Sequence, residues 1–279
     1  MGVVTFLSAK GSPGVTTTAL LATALWPRPA LLLEADPAGG DVAARVLAAD
    51  GGLLDTSRGL LPLLTAARRG LDAASVVEQA QPVAGGSRVV LGLSGPEQAA
   101  AAGRGWAALA AAVAELSGPS AADGDLRSTD VLVDAGRVGA APVHLDLLRA
   151  SDCVVLLVRA DVAAVLHARD RLRLLGGALR RRDGLLPRTG VVVVGDPGRR
   201  AGEAASAVEA LRAVGPWVDD LGRLPHDPAG AGVFAGAPVS RPERTALVRA
   251  GRTVVDDLVA GLPVAPPAAA AATDQESAA

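Results

Sequence analysis

Phe6–Leu25 reads FLSAKGSPGVTTTALLATAL, and the order of residue types along it decides the fold. Val3, Val4, Phe6 and Leu7 form a short apolar run that stops at a loop of small residues, Ser8 to Gly14. Val15-Thr16-Thr17-Thr18 then opens an Ala/Leu-rich helical stretch. Strand, glycine-bearing turn and helix N-terminus, in that order, are the layout of a phosphate-binding loop. The glycines let the backbone approach an anion closely, and the first-turn N–H groups point at it with the helix dipole behind them. Thr16 puts a hydroxyl where such loops hold Mg²⁺.

Against Gly-x-x-x-x-Gly-Lys-Ser/Thr the chain offers Ala9 for the first glycine and Val15 for the lysine, so only Gly14 and Thr16 fit. A deviant loop, Lys-Gly-Gly-x-Gly-Lys-Ser/Thr-Ser/Thr, is matched at Lys10, Gly11, Gly14, Thr16 and Thr17. Its first lysine is the signature. Lys10 is the sole lysine of the chain, every other basic residue being arginine. The bland alternative is a surface lysine beside an ordinary strand–helix turn. On these residues the chain resembles the ParA/MinD family of deviant Walker ATPases, with the second lysine missing.

The resemblance implies an α/β, three-layer P-loop NTPase fold over residues 1–262, with a mainly parallel sheet and helices on both faces. It implies ATP and Mg²⁺ as cofactors. Nucleotide contacts would fall on Lys10, Gly11, Ser12, Pro13, Gly14, Val15, Thr16 and Thr17, and Lys10 would reach the phosphates of the partner in a sandwich homodimer. Val15 supplies no cis ammonium. A unit charge at ~4 Å is worth roughly 4 kcal/mol at an effective dielectric near 20. Pro13 removes one further N–H. Weakened affinity and slow or absent hydrolysis are the expectation.

Downstream, the apolar stretch Ala30–Leu33 ends in Glu34-Ala35-Asp36-Pro37, placing carboxylates just past a strand where open parallel sheets bind ligands. By resemblance Glu34 stands near the metal and Asp36 orients the attacking water; a solvated, helix-capping turn is the alternative. Thr129–Asp134 (TDVLVD) has the form of a Walker B strand, whose Asp134 would hold Mg²⁺ through water. Arg137 is either a surface residue or a source of positive charge in place of the missing lysine. Leu221–Asp227 (LGRLPHD) resembles the family's strand ending in a Pro-x-Asp loop beside the base, which assigns Pro225 and Asp227 to the nucleotide. An Asn-Arg pair that reads the base in the family is replaced here by Gly195-Asp196. His226 is given no catalytic role.

Further buried strands are expected at Ser87–Leu93, Cys153–Val158 and Gly190–Gly195, with helices at Glu97–Leu116, from Asp161 through Leu175 and at Arg241–Leu262. Residues 42–82 carry helical patterning interrupted by glycines and Pro82. Arg68-Arg69 reads as a solvated face, and Ser117–Ser128 as a surface loop. Arg169, Arg171, Arg173, Arg180, Arg181 and Arg182 form either a solvated helix face or a patch for DNA phosphates or an acidic partner. From 263 to 279 the chain is Ala/Pro-rich, a composition expected to be disordered.

The 279 residues are half apolar, ample for a core, while aromatics at 2% exclude base stacking on aromatic platforms as a main recognition mode. A net charge of −2 argues against a constitutive nucleic-acid coat. The single Cys153 rules out an intramolecular disulfide and reads as a buried thiol, and Cys and His are too sparse for a zinc cluster. Neither a signal peptide nor an integral membrane segment is evident, so the expected place is the cytoplasm, with recruitment to nucleoid or membrane through partners. Two functions compete: a nucleotide-dependent dimerisation switch that positions a cellular cargo, and a non-catalytic scaffold that localises a partner without a nucleotide cycle.

Overall fold

The computed structural model describes residues 1–118, 129–181, 183–195 and 201–262. Its strands are β1 (Val3–Ser8), β2 (Ala30–Glu34), β3 (Gln81–Pro82), β4 (Arg88–Val90), β5 (Asp130–Arg137), β6 (Cys153–Arg159), β7 (Arg188–Gly195) and β8 (Val218–Pro225). The helices are α1 (Val15–Leu25), α2 (Leu60–Ala66), α3 (Ala73–Gln79), α4 (Pro96–Ala101), α5 (Gly105–Ser117), α6 (Leu145–Ala150), α7 (Val162–Ala178), α8 (Ala201–Arg212), α9 (Pro228–Gly232) and α10 (Ala246–Ala260). The strands join one sheet in the order β3-β4-β2-β5-β1-β6-β7-β8. Every neighbouring pair runs parallel except β3 with β4.

The central strands are apolar throughout because both their faces are covered. On β1, Val3 and Leu7 enter a core shared with Leu109 of α5 and Leu172 of α7. Val4 and Phe6 point the other way, into a core with Leu21 of α1 and Leu258 of α10. The strand's period of two thus divides one run between two helical layers. Beneath them, the buried carboxylate of Asp130 accepts from the backbone N–H of Gly2, from Trp26 Nε1 and from Arg28 Nε. A buried charge is tolerated there because it is fully bonded.

Two expectations need correction. The helix expected over Glu97–Leu116 is two helices, because Gly103 adopts φ 49° and breaks the run. A Cβ on Gly105 would lie 3.2 Å from the carbonyl of Leu64, so α5 restarts in close contact with α2. The last helix begins at Ala246 instead of Arg241: Pro242–Arg244 form a single 3₁₀ turn, and the Thr245 hydroxyl caps α10 by accepting from the Val248 N–H. The antiparallel edge β3 is an addition, with Pro82 exposed at the rim as an edge strand allows. Arg182, Asp196, most of the Ser117–Ser128 loop and the tail from 263 onward lie outside the described residues.

β5 and β6 flank β1, so the carboxyl ends of three strands meet at the loop after Ser8. Strand order reverses at this point, and in open α/β sheets that is where a ligand crevice forms.

Candidate functional site

The loop between β1 and α1 has a backbone that ordinary residues resist. Gly11 (φ 87°), Ser12 (φ 44°) and Gly14 (φ 93°) all occupy the left-handed region, which glycine enters freely and serine only under constraint. Gly14 leads into α1, and its carbonyl accepts from the Thr18 N–H at 2.9 Å. No side chain caps the N-terminus of α1 and no acid stands in its first turn. The N–H groups that every helix leaves unpaired at this end therefore face the crevice, as an anion site requires.

On the β5 side of the loop stand the acids. The Thr16 hydroxyl donates to Asp134, and the Gly136 N–H donates to Asp134 Oδ1 at 3.0 Å. Asp134 Oδ2 is buried without a partner. Burial, reinforced by the nearby Glu34 and Asp36 charges, pushes this carboxyl up to about 6, against the hydrogen bonds from Thr16 and Gly136. An orphaned carboxylate oxygen beside a threonine hydroxyl suits a hydrated divalent cation that completes its shell on phosphate oxygens. Among the described residues no group of three or more His, Cys, Asp or Glu side chains could hold a metal by itself. Any ion here must share its coordination with water and ligand.

Glu34 and Asp36 sit on either side of this point with different duties. Glu34 is 2% exposed; its Oε1 accepts from the N–H groups of Asp41 and Val42, and its Oε2 from that of Gly92. Its carboxylate binds the 36–42 loop to the end of β4, and burial still raises its pKa above the usual range. Asp36 is half-buried and receives one backbone bond, from Ala38. Burial raises it too, with Arg137 acting the other way. Gly136 (φ 57°) passes directly under this carboxyl, since a Cβ there would fall 1.9 Å from Asp36 Cγ. Arg137 thus stands on the acidic flank, at the tip of β5 opposite Ser8.

The β6 side is different. A cavity of about 150 Å³ is bounded by Ser12, Pro13 and Gly14 of the loop, Thr17 of α1, Arg159 of β6, and Pro225 to Asp227 at the end of β8. It is smaller than a typical pocket for a whole ligand, so it accommodates a base-sized portion only. The Asp227 side chain braces its wall: Oδ1 accepts from the Gly230 N–H and Oδ2 from the Leu247 N–H, which hold its carboxyl below the usual range. A roomier open groove between α2, α4 and α5 shares no residue with the loop and gathers no acids or histidines. The small cavity is the one next to the chemistry.

Lys10 leaves the loop toward α7, where its ammonium donates to Nε2 of His167 at 3.2 Å. That contact requires a neutral imidazole protonated on Nδ1. Three of the five described arginines of the basic run are engaged within the fold. Arg173 pairs with Asp170, Arg180 donates to the Gly184 carbonyl, and Arg181 donates to the carbonyls of Arg149 and Ser151, closing the end of α6. Cys153 is buried, which pushes its thiol up to about 12 and makes it inert.

Sequence reasoning missed Arg159, His167 and His144. His144 is 1% exposed and tilted against Trp106 at a 5.7 Å ring separation, with the Ala135 backbone as its one polar neighbour. Burial pushes it down to about 4. Nothing local in the sequence marks these three, because each acquires its environment from a distant strand or helix.

Sheet order, loop and flanking acids define a three-layer P-loop nucleoside-triphosphatase fold. Its course is that of ParA- and MinD-type ATPases. A ParA family ATPase from Chlorobium tepidum is similar over 92% of this chain and 97% of its own, with TM-score 0.64 and 17% identity. The septum site-determining protein MinD of Pyrococcus horikoshii, complexed with Mg-ADP, is similar over 92% and 95%, with TM-score 0.63 and 18% identity. A McdA–ATP complex from Cyanothece is similar over 93% and 96%, with TM-score 0.67 and 15% identity. No family model matches the sequence, and no curated protein matches it. No helix among the described residues is long and apolar enough to cross a membrane.

Proposed function

We propose that this chain is a ParA/MinD-like switch that binds Mg-ATP, dimerises when loaded, hydrolyses slowly or not at all, and positions a cellular cargo. The observation that carries the reading is the pairing of a left-handed, glycine-shaped loop with the half-buried Thr16 hydroxyl on the buried Asp134 carboxylate and its unpartnered oxygen. Relatives in fold that hold Mg-ADP and ATP support the choice of ligand. In this scheme the loop amides take the phosphates of their own chain's nucleotide, Lys10 reaches those of the partner, Thr16 and Asp134 hold Mg²⁺ with Glu34 behind them, and the Pro225–Asp227 end of the small cavity takes the base. Bound magnesium would neutralise charge developing on the phosphates. Asp36, which accepts one backbone bond where Glu34 accepts three, is the residue free to orient water.

Titration calorimetry with Mg-ATP and with a slowly hydrolysed analogue, paired with light scattering, tests it. Heat of binding and a doubling of mass are expected with both ligands. Absence of both would leave the second reading, a scaffold without a nucleotide cycle, which is favoured by Val15 being 7% exposed and packed into the core where the family has an ammonium. Lys10→Ala is expected to keep nucleotide binding in the monomer and to abolish the ligand-linked dimer. A dimer that forms unchanged in this variant would remove Lys10 from the interface.

A further inference from the structure

With Val15 in the core, α1 brings no side-chain cation to the loop, and another residue must face the charge of a polyphosphate. Lys10 is engaged with His167 on α7. Arg137 faces Asp36, and Arg45 is held in a two-point pair with Asp41. Arg159 is placed otherwise. It ends β6, whose register sets Leu157 beside Ser8, so the next turn of chain carries Arg159 level with the loop. Its Cδ lies 4.0 Å from the position a Cβ on Gly11 would take, and it lines the cavity with Ser12, Gly14 and Thr17. Its ion pair with Asp161 spans 3.9 Å, and Asp161 already caps α7 by accepting from the Ala164 N–H. The guanidinium side chain is 44% exposed.

We propose that Arg159 is the cis phosphate-binding cation of this loop, taking over from the flank of β6 the charge that a lysine at position 15 would have delivered from α1. The inference rests on the nucleotide-binding reading above. The ligand would lie between two unlike walls: acids and a divalent cation toward β5, and the arginine toward β6. A planar guanidinium can bond two phosphate oxygens at once, which suits an approach from the side along the chain of phosphates.

The test is titration calorimetry of the full chain with Mg-ATP, adenosine and inorganic tripolyphosphate, on wild type, Arg159→Gln and Arg159→Lys, with melting curves to show each variant folded. For Arg159→Gln, Mg-ATP and tripolyphosphate are expected to bind roughly 10- to 100-fold more weakly, the scale of one charge-assisted contact, with adenosine unchanged. Arg159→Lys should fall between, keeping the charge but losing the fork. Equal affinity of wild type and Arg159→Gln for Mg-ATP overturns the assignment, as does a loss that extends equally to adenosine. A wild type that takes tripolyphosphate in an Arg159-dependent way but no ATP ends the nucleotide reading and keeps this one. Binding of none of the three ends both.

Discussion

Asp134→Asn is expected to make the ligand-free protein more stable at neutral pH while abolishing its response to Mg²⁺ with nucleotide. Burial pushes the folded carboxyl up to about 6, from the 3.8 of an aspartate in water. A folded pKa raised above the unfolded one contributes stability that is present below pH 3.8 and lost as pH rises through about 6. At pH 7 the wild type therefore carries an unfavourable term of about 3 kcal/mol, at about 1.4 kcal/mol per pKa unit. Asparagine removes the charge and keeps an acceptor for Thr16 and Gly136, though it leaves an unbonded amide, so the net gain is about 1–2 kcal/mol.

His144 acts with the opposite sign in nearly the same window. Its pKa is lowered from 6.5 to about 4, so the stability of holding it neutral is complete above pH 6.5 and is lost as pH falls toward 4. In the wild type the two groups offset each other between pH 4 and 6. Asparagine at 134 uncovers the histidine, and the variant's stability should fall by about 3 kcal/mol more steeply than wild type as pH drops across that window. Urea denaturation from pH 4 to 8 reads this directly. Parallel curves for the two proteins would show that Asp134 ionises in the fold as it does in water.

Glu34→Ala is the second large effect, and it separates two roles for that carboxylate. It leaves the N–H groups of Asp41, Val42 and Gly92 without their acceptor in a buried place. Each orphaned donor costs about 1–3 kcal/mol, less whatever water entry restores, so the ligand-free protein should lose about 3 kcal/mol or more. In a chain of this size that lowers the melting temperature by about 6–12 °C. If Glu34 served a metal alone, the ligand-free melting temperature would be unchanged and only the Mg²⁺ response would go. A melting curve without added metal tells the two apart.

The strands that matter were legible because each is an apolar run closed by polar or small residues: Val3–Leu7, Ala30–Leu33, Cys153–Val158 and Gly190–Gly195 fall within observed strands, and Thr129–Asp134 overlaps β5 from Asp130 on. The helix boundaries were less so. Gly103 and Arg241 take left-handed conformations, and an Ala-rich pattern continues across a break it does not register. Within the site, Gly11, Gly14 and Thr16 could be singled out because phosphate loops are built from contiguous residues. Glu34, Asp36 and Asp134 were found as acids at strand ends, but their separate states were not.

By itself, then, the order of residues determined the α/β class, the loop after β1 and the candidate acids, because strand periodicity and glycine turns are local properties. Only the tertiary structure decided that Glu34 is committed to three backbone donors, that Asp134 keeps one oxygen unpaired, and that Arg159 comes to lie beside Gly11. Burial and charge are summed over every atom nearby, and these neighbours arrive from strands that lie far apart in the chain.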